Sequence, residues 1–163
     1  GAARGRRCQL SRGTRVCSEG HYGRLNGQNA KTGKVVMMAS GIGITPMRAL
    51  LEEMHYERGA ATLIYRARSE EDLIFRAELE DLAQQRGIVV RYLVGLRNTQ
   101  RESWLPARHG SWSDAPALAD LVPDIAQRDV YICGPDSWMD AAAAAARACG
   151  VPEARLHQEK FTW

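Results

Sequence analysis

Residues 39–51 read ASGIGITPMRALL. The apolar run KVVMMA at 34–39 leads into them, and Gly41 and Gly43 then stand in G-x-G spacing. A dinucleotide-binding fingerprint has a third glycine at position 46, where this chain has Pro46. Two glycines let the backbone approach an anion. A helix that follows points free N–H groups and its positive dipole end at the same place. Thr45 suits the N-cap of that helix and Pro46 its first position, where the missing N–H has no helical partner to lose. The spacing predicts a helix with Met47, Leu50, Leu51 and Met54 on one face, ended by Gly59. Taken alone, the stretch fits both a phosphate-holding loop and a simple strand-to-helix turn.

The same alternation continues outward. Residues 34–39, 61–67 (ATLIYRA), 88–95 (IVVRYLVG), 129–134 (DVYICG) and 154–163 (ARLHQEKFTW) read as strands. Residues 70–87 read as a helix with Leu79, Leu82 and Ala83 on one face. Residues 116–126 read as a helix interrupted at Pro123, and 136–150 as an alanine-rich helix ended by Gly150. Between them, 96–115 has no period and predicts a long loop, a length usually tied to function or mobility. Strands alternating with helices predict an α/β fold: a Rossmann-like, doubly wound, five-stranded parallel sheet in three layers. Ligands of such sheets sit at the carboxyl ends of the strands, so 40–46, 66–72, 95–98 and 133–138 are the informative segments. Residues 1–30 fall outside the alternation, and GTRVCSEGHYGRL within them suits one strand and a turn.

Composition narrows the classes. The chain has 163 residues, 45% hydrophobic and 25% charged, enough for a packed core. A net charge of +3 with scattered arginines argues against nucleic acid as a partner. The first fifteen residues are densely basic and suit a solvated terminus. The most apolar run, 35–51, carries Ser, Thr, Pro, Arg and two glycines and does not suit a membrane span. No apolar signal-peptide region follows the basic residues. Cys8, Cys17, Cys133 and Cys149 have no metal-ligand spacing, so no metal site is expected, and they read as reduced thiols of a cytoplasmic protein.

Arginine follows the second strand, at Arg66 and Arg68, where NAD-binding chains often place an acid for the ribose 2′-hydroxyl. Arginine attracts a 2′-phosphate, which favours NADPH with NADH as the alternative. The competing fate is surface pairing with Glu70, Glu71 or Asp72. Arg97, after the third strand, suits a second phosphate ligand or a loop cation. The turn Cys133-Gly134-Pro135 forces a sharp exit from the fourth strand and is expected to expose Cys133 at the sheet edge. No histidine is tied to that cysteine by sequence, which argues against a nucleophile. At the C-terminus a period of two puts His157, Glu159, Phe161 and Trp163 on one face, suited to an inner sheet face or to a flat ring.

In this order, Gly41-Ile-Gly-Ile-Thr-Pro46, Tyr65-Arg66 with Asp72 and Phe75, Cys133-Gly-Pro135 with Met139, and Glu159-Lys-Phe161 resemble the ferredoxin–NADP reductase family. The narrower resemblance is to the pyridine-nucleotide domain of bacterial ferric-reductase and NADPH-oxidase-type flavoproteins, over residues 13–163. It implies that Gly41, Gly43, Ile44, Thr45 and Pro46 hold a pyrophosphate, and that Arg66 and Arg97 neighbour an adenosine 2′-phosphate. It implies that Cys133, Gly134, Pro135 and Met139 lie along the nicotinamide, with Cys133 and Glu159 supplying packing and polarity there. Glu159 and Phe161 are implied to lie near the flavin, with the Phe161 ring stacked on it and moving aside for the nicotinamide, and Trp163 joins the cofactor-binding set.

Residues 31–163 are then expected to form an NAD(P)H-binding domain. Residues 1–30 resemble the closing strand of a flavin-binding barrel, with Arg12 and His21 where that pattern has prolines. The barrel's own R-x-Y-S/T signature is missing from this sequence, so the chain resembles the C-terminal part of such a flavoprotein. The implied activity is delivery of hydride from NADPH to FAD on an adjacent domain, then single electrons onward to haem, metal or oxygen. The flavin domain is the implied partner and a membrane haem domain a further one. The implied location is the cytoplasm or the cytoplasmic face of a membrane. The alternative is a nucleotide-binding regulatory module that transfers no hydride.

Overall fold

Apolar runs can bury both faces only inside a covered sheet, and 35–40, 61–67 and 129–133 are buried throughout. The computed structural model describes residues 32–160. The expected barrel-closing strand within 1–30, and Phe161 and Trp163, lie outside the described residues. The elements are β1 (Val35–Ser40), α1 (Ile44–Glu53), β2 (Ala61–Ala67), α2 (Arg76–Arg86), β3 (Val89–Val94), α3 (Asp114–Leu121), β4 (Asp129–Cys133), α4 (Asp136–Ala148) and β5 (Leu156–Glu159). All strand pairs are parallel and the order is β3-β2-β1-β4-β5, the doubly wound arrangement expected. The order reverses between β1 and β4, which opens a crevice at their carboxyl ends.

Alternate residues of the central strands feed two cores. Met37, Tyr65, Tyr131 and Cys133 pack beneath α1 and α2, through Met47, Leu51 and Leu79. Met38, Ile64 and Ile132 pack against α3, α4 and the loop residues Trp104 and Leu105. Small residues at Ala142, Ala143, Ala145 and Ala146 are buried on α4, so that helix approaches the sheet closely. At the opposite edge of the sheet, Asp129 accepts hydrogen bonds from the Thr32 N–H and hydroxyl, both at 2.9 Å. Arg128 beside it donates to the carbonyls of Val35 and Ala60 and to Asp124. No described helix is long and apolar enough to cross a membrane.

Three local expectations differ from the structure. α1 begins at Ile44 after a 3₁₀ turn over Gly41–Gly43, so Gly43, not Thr45, is the N-cap, and no side chain caps it. Pro46 is the third helical residue; it still lies in the first turn, where its absent N–H costs nothing. α1 ends at Glu53 with Met54 extended, well before Gly59. The helix expected over 70–87 is split: a 3₁₀ turn at Glu70–Asp72 is followed by Phe75 in the left-handed region, φ 60, and α2 starts only at Arg76. Leu73 is buried in the core, and its anchoring competes with continuous helix across 70–76.

Candidate functional site

The two glycines of the β1–α1 turn do different things. Gly41 has φ +58, and a Cβ added there would meet nothing within 4 Å. It supplies a left-handed turn with open space in front of it. Gly43 is buried, and a Cβ there would lie 2.0 Å from the Cys133 carbonyl oxygen. It lets the start of α1 seat against the end of β4. Gly134 is packed almost as closely, with an added Cβ 2.9 Å from Trp138 and 3.0 Å from Ser40. The G-x-G loop and the C-G-P turn are therefore one interlocked unit across the switch point. Ile44 is fully buried and anchors it, while Thr45 faces solvent.

A cleft of about 480 Å³ opens over this unit. Ser40, Gly41 and Ile42 form its floor, Pro135, Ser137 and Trp138 one wall, and Arg66, Arg68, Asp72 and Ile74 another, with Arg97 at the rim. The 3₁₀ turn that leads into α1 and the start of α4 both border it, and Pro135, exposed, is the N-cap of α4. The free N–H groups and dipole at the start of α4 favour an anion there.

Arg66 pairs in register with Ser40, which carries its side chain to the carboxyl end of the sheet. It is only 6% exposed. Its Nη2 donates to the Gly95 carbonyl at 3.3 Å, and its Nε is buried without a partner. Burial pushes this guanidinium's pKa down, and the charge of Arg97 pushes it further the same way. Arg97 is exposed and donates to the Ser137 hydroxyl at 3.3 Å. Neither arginine has an ion-pair partner among the described residues. Arg68 is different: it pairs with Asp72 at 3.7 Å on the surface. Of the two arginines at the end of β2, Arg68 has the ordinary surface fate and Arg66 is held, buried and incompletely bonded, at the cleft. Two like charges in that position favour an anionic ligand, because an unpaired buried charge is costly.

Cys133 is not exposed at the sheet edge as the turn alone predicts; it is fully buried. β4 lies between β1 and β5, and the residue closing an interior strand is covered from both sides. Burial, with a smaller push from Glu159, raises its thiol to about 12, so it is an inert neutral group. Glu159 pairs with it in register, is 6% exposed, and has Oε2 buried without a partner. Burial raises this carboxyl above the usual range. The two lie side by side at the carboxyl ends of β4 and β5, beside the crevice, the thiol neutral and the carboxyl poorly solvated. Met139 is fully buried in the lower core, away from the cleft lining.

Several lining residues carry no signal by residue type, although Ile42, Ser137 and Trp138 fall in the segments expected to meet a ligand. Ile42 and Ile74 line the cleft 47% and 43% exposed, though isoleucine ordinarily reads as core. Ser137 and Trp138 arrive from α4; Trp138 Nε1 donates to the Trp104 carbonyl at 2.9 Å, fixing the long loop to that helix. The α4 N-terminus next to the C-G-P turn was the available clue to them.

Residues 37–144 match the family described as oxidoreductase NAD-binding domain, well over half of the chain. The chain is 25% identical over 154 residues to the glycine betaine monooxygenase reductase subunit of Pseudomonas aeruginosa, covering 93% of this chain and 42% of that protein. It is 35% identical over 130 residues to the ferredoxin reductase component of 3-ketosteroid-9-alpha-monooxygenase from Mycolicibacterium smegmatis, covering 77% and 33%. Among solved structures it resembles the FAD/NAD-binding domain of nitric oxide dioxygenase from Vibrio cholerae. There the TM-score is 0.59 and the identity 26%, over 78% of this chain and 50% of that one. The chain thus spans less than half the length of these curated relatives.

Proposed function

The chain belongs to the oxidoreductase NAD-binding domain family, and on that premise we propose that it binds NADPH for a flavin, FAD, on an adjacent domain. When bound, the nicotinamide nucleotide supplies the hydride that the flavin accepts. The protein's own part is placement and electrostatics. In this reading Gly41, Gly43, Ile44, Thr45 and Pro46 shape the turn that receives the pyrophosphate, with Gly134 and Pro135 closing it from the α4 side. Arg66 and Arg97 bind the 2′-phosphate. Cys133 and Glu159 supply packing and polarity at the nicotinamide end, and Met139 supports it from the core. Phe161 and Trp163 complete the flavin-facing end.

The observation that carries the reading is the buried Arg66 guanidinium, its Nε unpartnered, beside Arg97 in a cleft bordered by the glycine turn after β1 and the start of α4. The residues present fit an adenosine 2′-phosphate. Calorimetric titration of the chain with NADPH, NADH and ATP tests it: NADPH is expected to bind tightest. Arg66→Asp is expected to collapse the NADPH advantage over NADH, and an unchanged ratio rejects the 2′-phosphate role. ATP binding well above NADPH would favour the regulatory module instead.

The same reading extends to the parent protein. The relatives are named as reductase components of monooxygenases and as part of a nitric oxide dioxygenase, which favours an oxygenase or haem centre as the onward electron acceptor. Residues 31–163 would form the nucleotide domain, and 1–30 the last strand of the flavin barrel. The setting would be the cytoplasm or the cytoplasmic face of a membrane. A ferric-reductase or NADPH-oxidase-type parent with a membrane haem domain is the narrower form of this proposal, and a haem spectrum in the membrane fraction tests it.

A further inference from the structure

The wall of the cleft formed by Asp72 and Ile74 is an inverse γ-turn. Leu73, at its centre, has φ −77 and ψ 81, and the Ile74 N–H donates to the Asp72 carbonyl at 3.0 Å. Such a turn points its outer side chains one way and its central one the other. Leu73 is buried in the core while Asp72 and Ile74 line the cleft. A turn of three residues inside a longer irregular segment needs outside support to keep one shape. Tyr65 supplies it. The ring is fully buried beneath α1 and α2, and its hydroxyl reaches both ends of the turn. It donates to the Asp72 carbonyl at 3.3 Å and accepts from the Ile74 N–H at 3.2 Å. Burial raises this phenol further above neutral pH, so it keeps its proton and both bonds persist across the working range.

The segment is clamped at its far end as well. Phe75 is the single described non-glycine residue with positive φ. Its ring lies under the Arg48 guanidinium of α1, 5.1 Å from the ring centroid, and Arg48 pairs with Glu78 of α2. The phosphate-loop helix is thereby joined to the Asp72–Ile74 wall on one side and Tyr65 holds it on the other. A left-handed phenylalanine costs energy and persists where its surroundings over-determine it.

We infer that the Tyr65 hydroxyl is a positioning residue for nucleotide recognition: it holds the Asp72–Ile74 turn so that the adenosine side of the cleft is formed before ligand arrives. The inference rests on the nucleotide-binding function proposed above. Tyr65 touches no ligand; it acts by removing the ordering cost that a loose wall would add to binding.

The test compares the 163-residue chain with Tyr65→Phe, which keeps the ring and removes only the hydroxyl. The probe is 2′,5′-ADP, titrated by calorimetry, with amide hydrogen exchange read at Ile74. Two long neutral hydrogen bonds are lost and affinity is expected to fall about three- to tenfold, with faster exchange at Ile74 and unchanged exchange in β1. In an Ile74→Ala background the same substitution is expected to have little further effect, since both act through one wall; a merely structural role would give additive losses. Unchanged affinity in Tyr65→Phe, or additivity with Ile74→Ala, overturns the inference. Should the variant melt too early to titrate, the parent chain decides: an Ile74 amide that exchanges as fast as exposed loop amides shows that the tie does not hold. A parent chain that fails to bind 2′,5′-ADP rejects the 2′-phosphate reading of the cleft proposed above, a different result from a parent that binds and a variant that binds equally.

Discussion

Gly43 lies directly against Cys133: a methyl group on Gly43 would sit 2.0 Å from the Cys133 carbonyl oxygen and 2.5 Å from its carbon. Neither partner can give way, because one is the backbone of an interior strand and the other the start of a helix. Gly43→Ala is expected to cost roughly 3 kcal/mol, the upper range for overpacking. Gly41→Ala meets open space and is expected to cost only about 1–2 kcal/mol, the penalty of a left-handed alanine. Urea unfolding of both variants checks this order, and equal losses would mean the two glycines are not specialised.

Arg66 and Arg97 differ in exposure, so their losses should differ. Arg66→Gln is expected to weaken 2′,5′-ADP binding by about tenfold to a hundredfold, as for a charge-assisted bond removed. Arg97→Gln, at the solvated rim, should weaken it less, and more of its effect should vanish at high salt. Titrations at low and high ionic strength separate the two; a larger loss at Arg97 would reverse the assignment of the principal ligand.

Cys133 should be silent toward thiol reagents. With its thiol raised to about 12 and no exposed surface, iodoacetamide at pH 8 is expected to leave it unmodified in the folded chain and to label it after denaturation. Peptide-resolved mass spectrometry reads the difference. Rapid labelling of the native chain would mean that the β4–α4 turn opens.

Glu159 makes stability depend on pH. Its folded pKa is raised above the unfolded value by burial, so the folded state holds the proton more tightly. The chain is therefore stabilised by this group as pH falls through the folded pKa toward 4.5, and carries the cost of a buried charge above it. Glu159→Gln is expected to raise Tm at neutral pH, with the gain shrinking as pH is lowered toward the unfolded value. A gain that is constant with pH would assign the effect to packing.

The fold was legible because parallel strands covered on both faces leave near-continuous apolar runs, and β2, at 61–67, matches its run residue for residue. Arg66 was legible as a cation where an acid is common. Helix starts were less so. Thr45 and Pro46 look like a cap pair, yet the buried contacts of Gly43 and Ile44 draw the helix back by a turn's fraction. Residues 70–75 look helical by composition, and only the core site for Leu73 and the hydroxyl of Tyr65 turn them into a cleft wall. Cys133 was misplaced because a turn motif says nothing about which strands flank it. That depends on sheet order, a property of the whole chain.

β1 precedes the other four strands of the described sheet in the chain and lies in its middle, so its two edges are closed at different times. β2 follows it closely, but its other neighbour, β4, comes much later, and the Asp129 carboxylate that holds Thr32 lies 97 positions downstream. A nascent chain emerging from the ribosome would carry Val35–Ser40 with one edge unpaired until β4 arrives. The interlock of Gly43 with Cys133 waits for the same moment, so nucleotide recruitment during translation would begin only after the C-G-P turn has emerged.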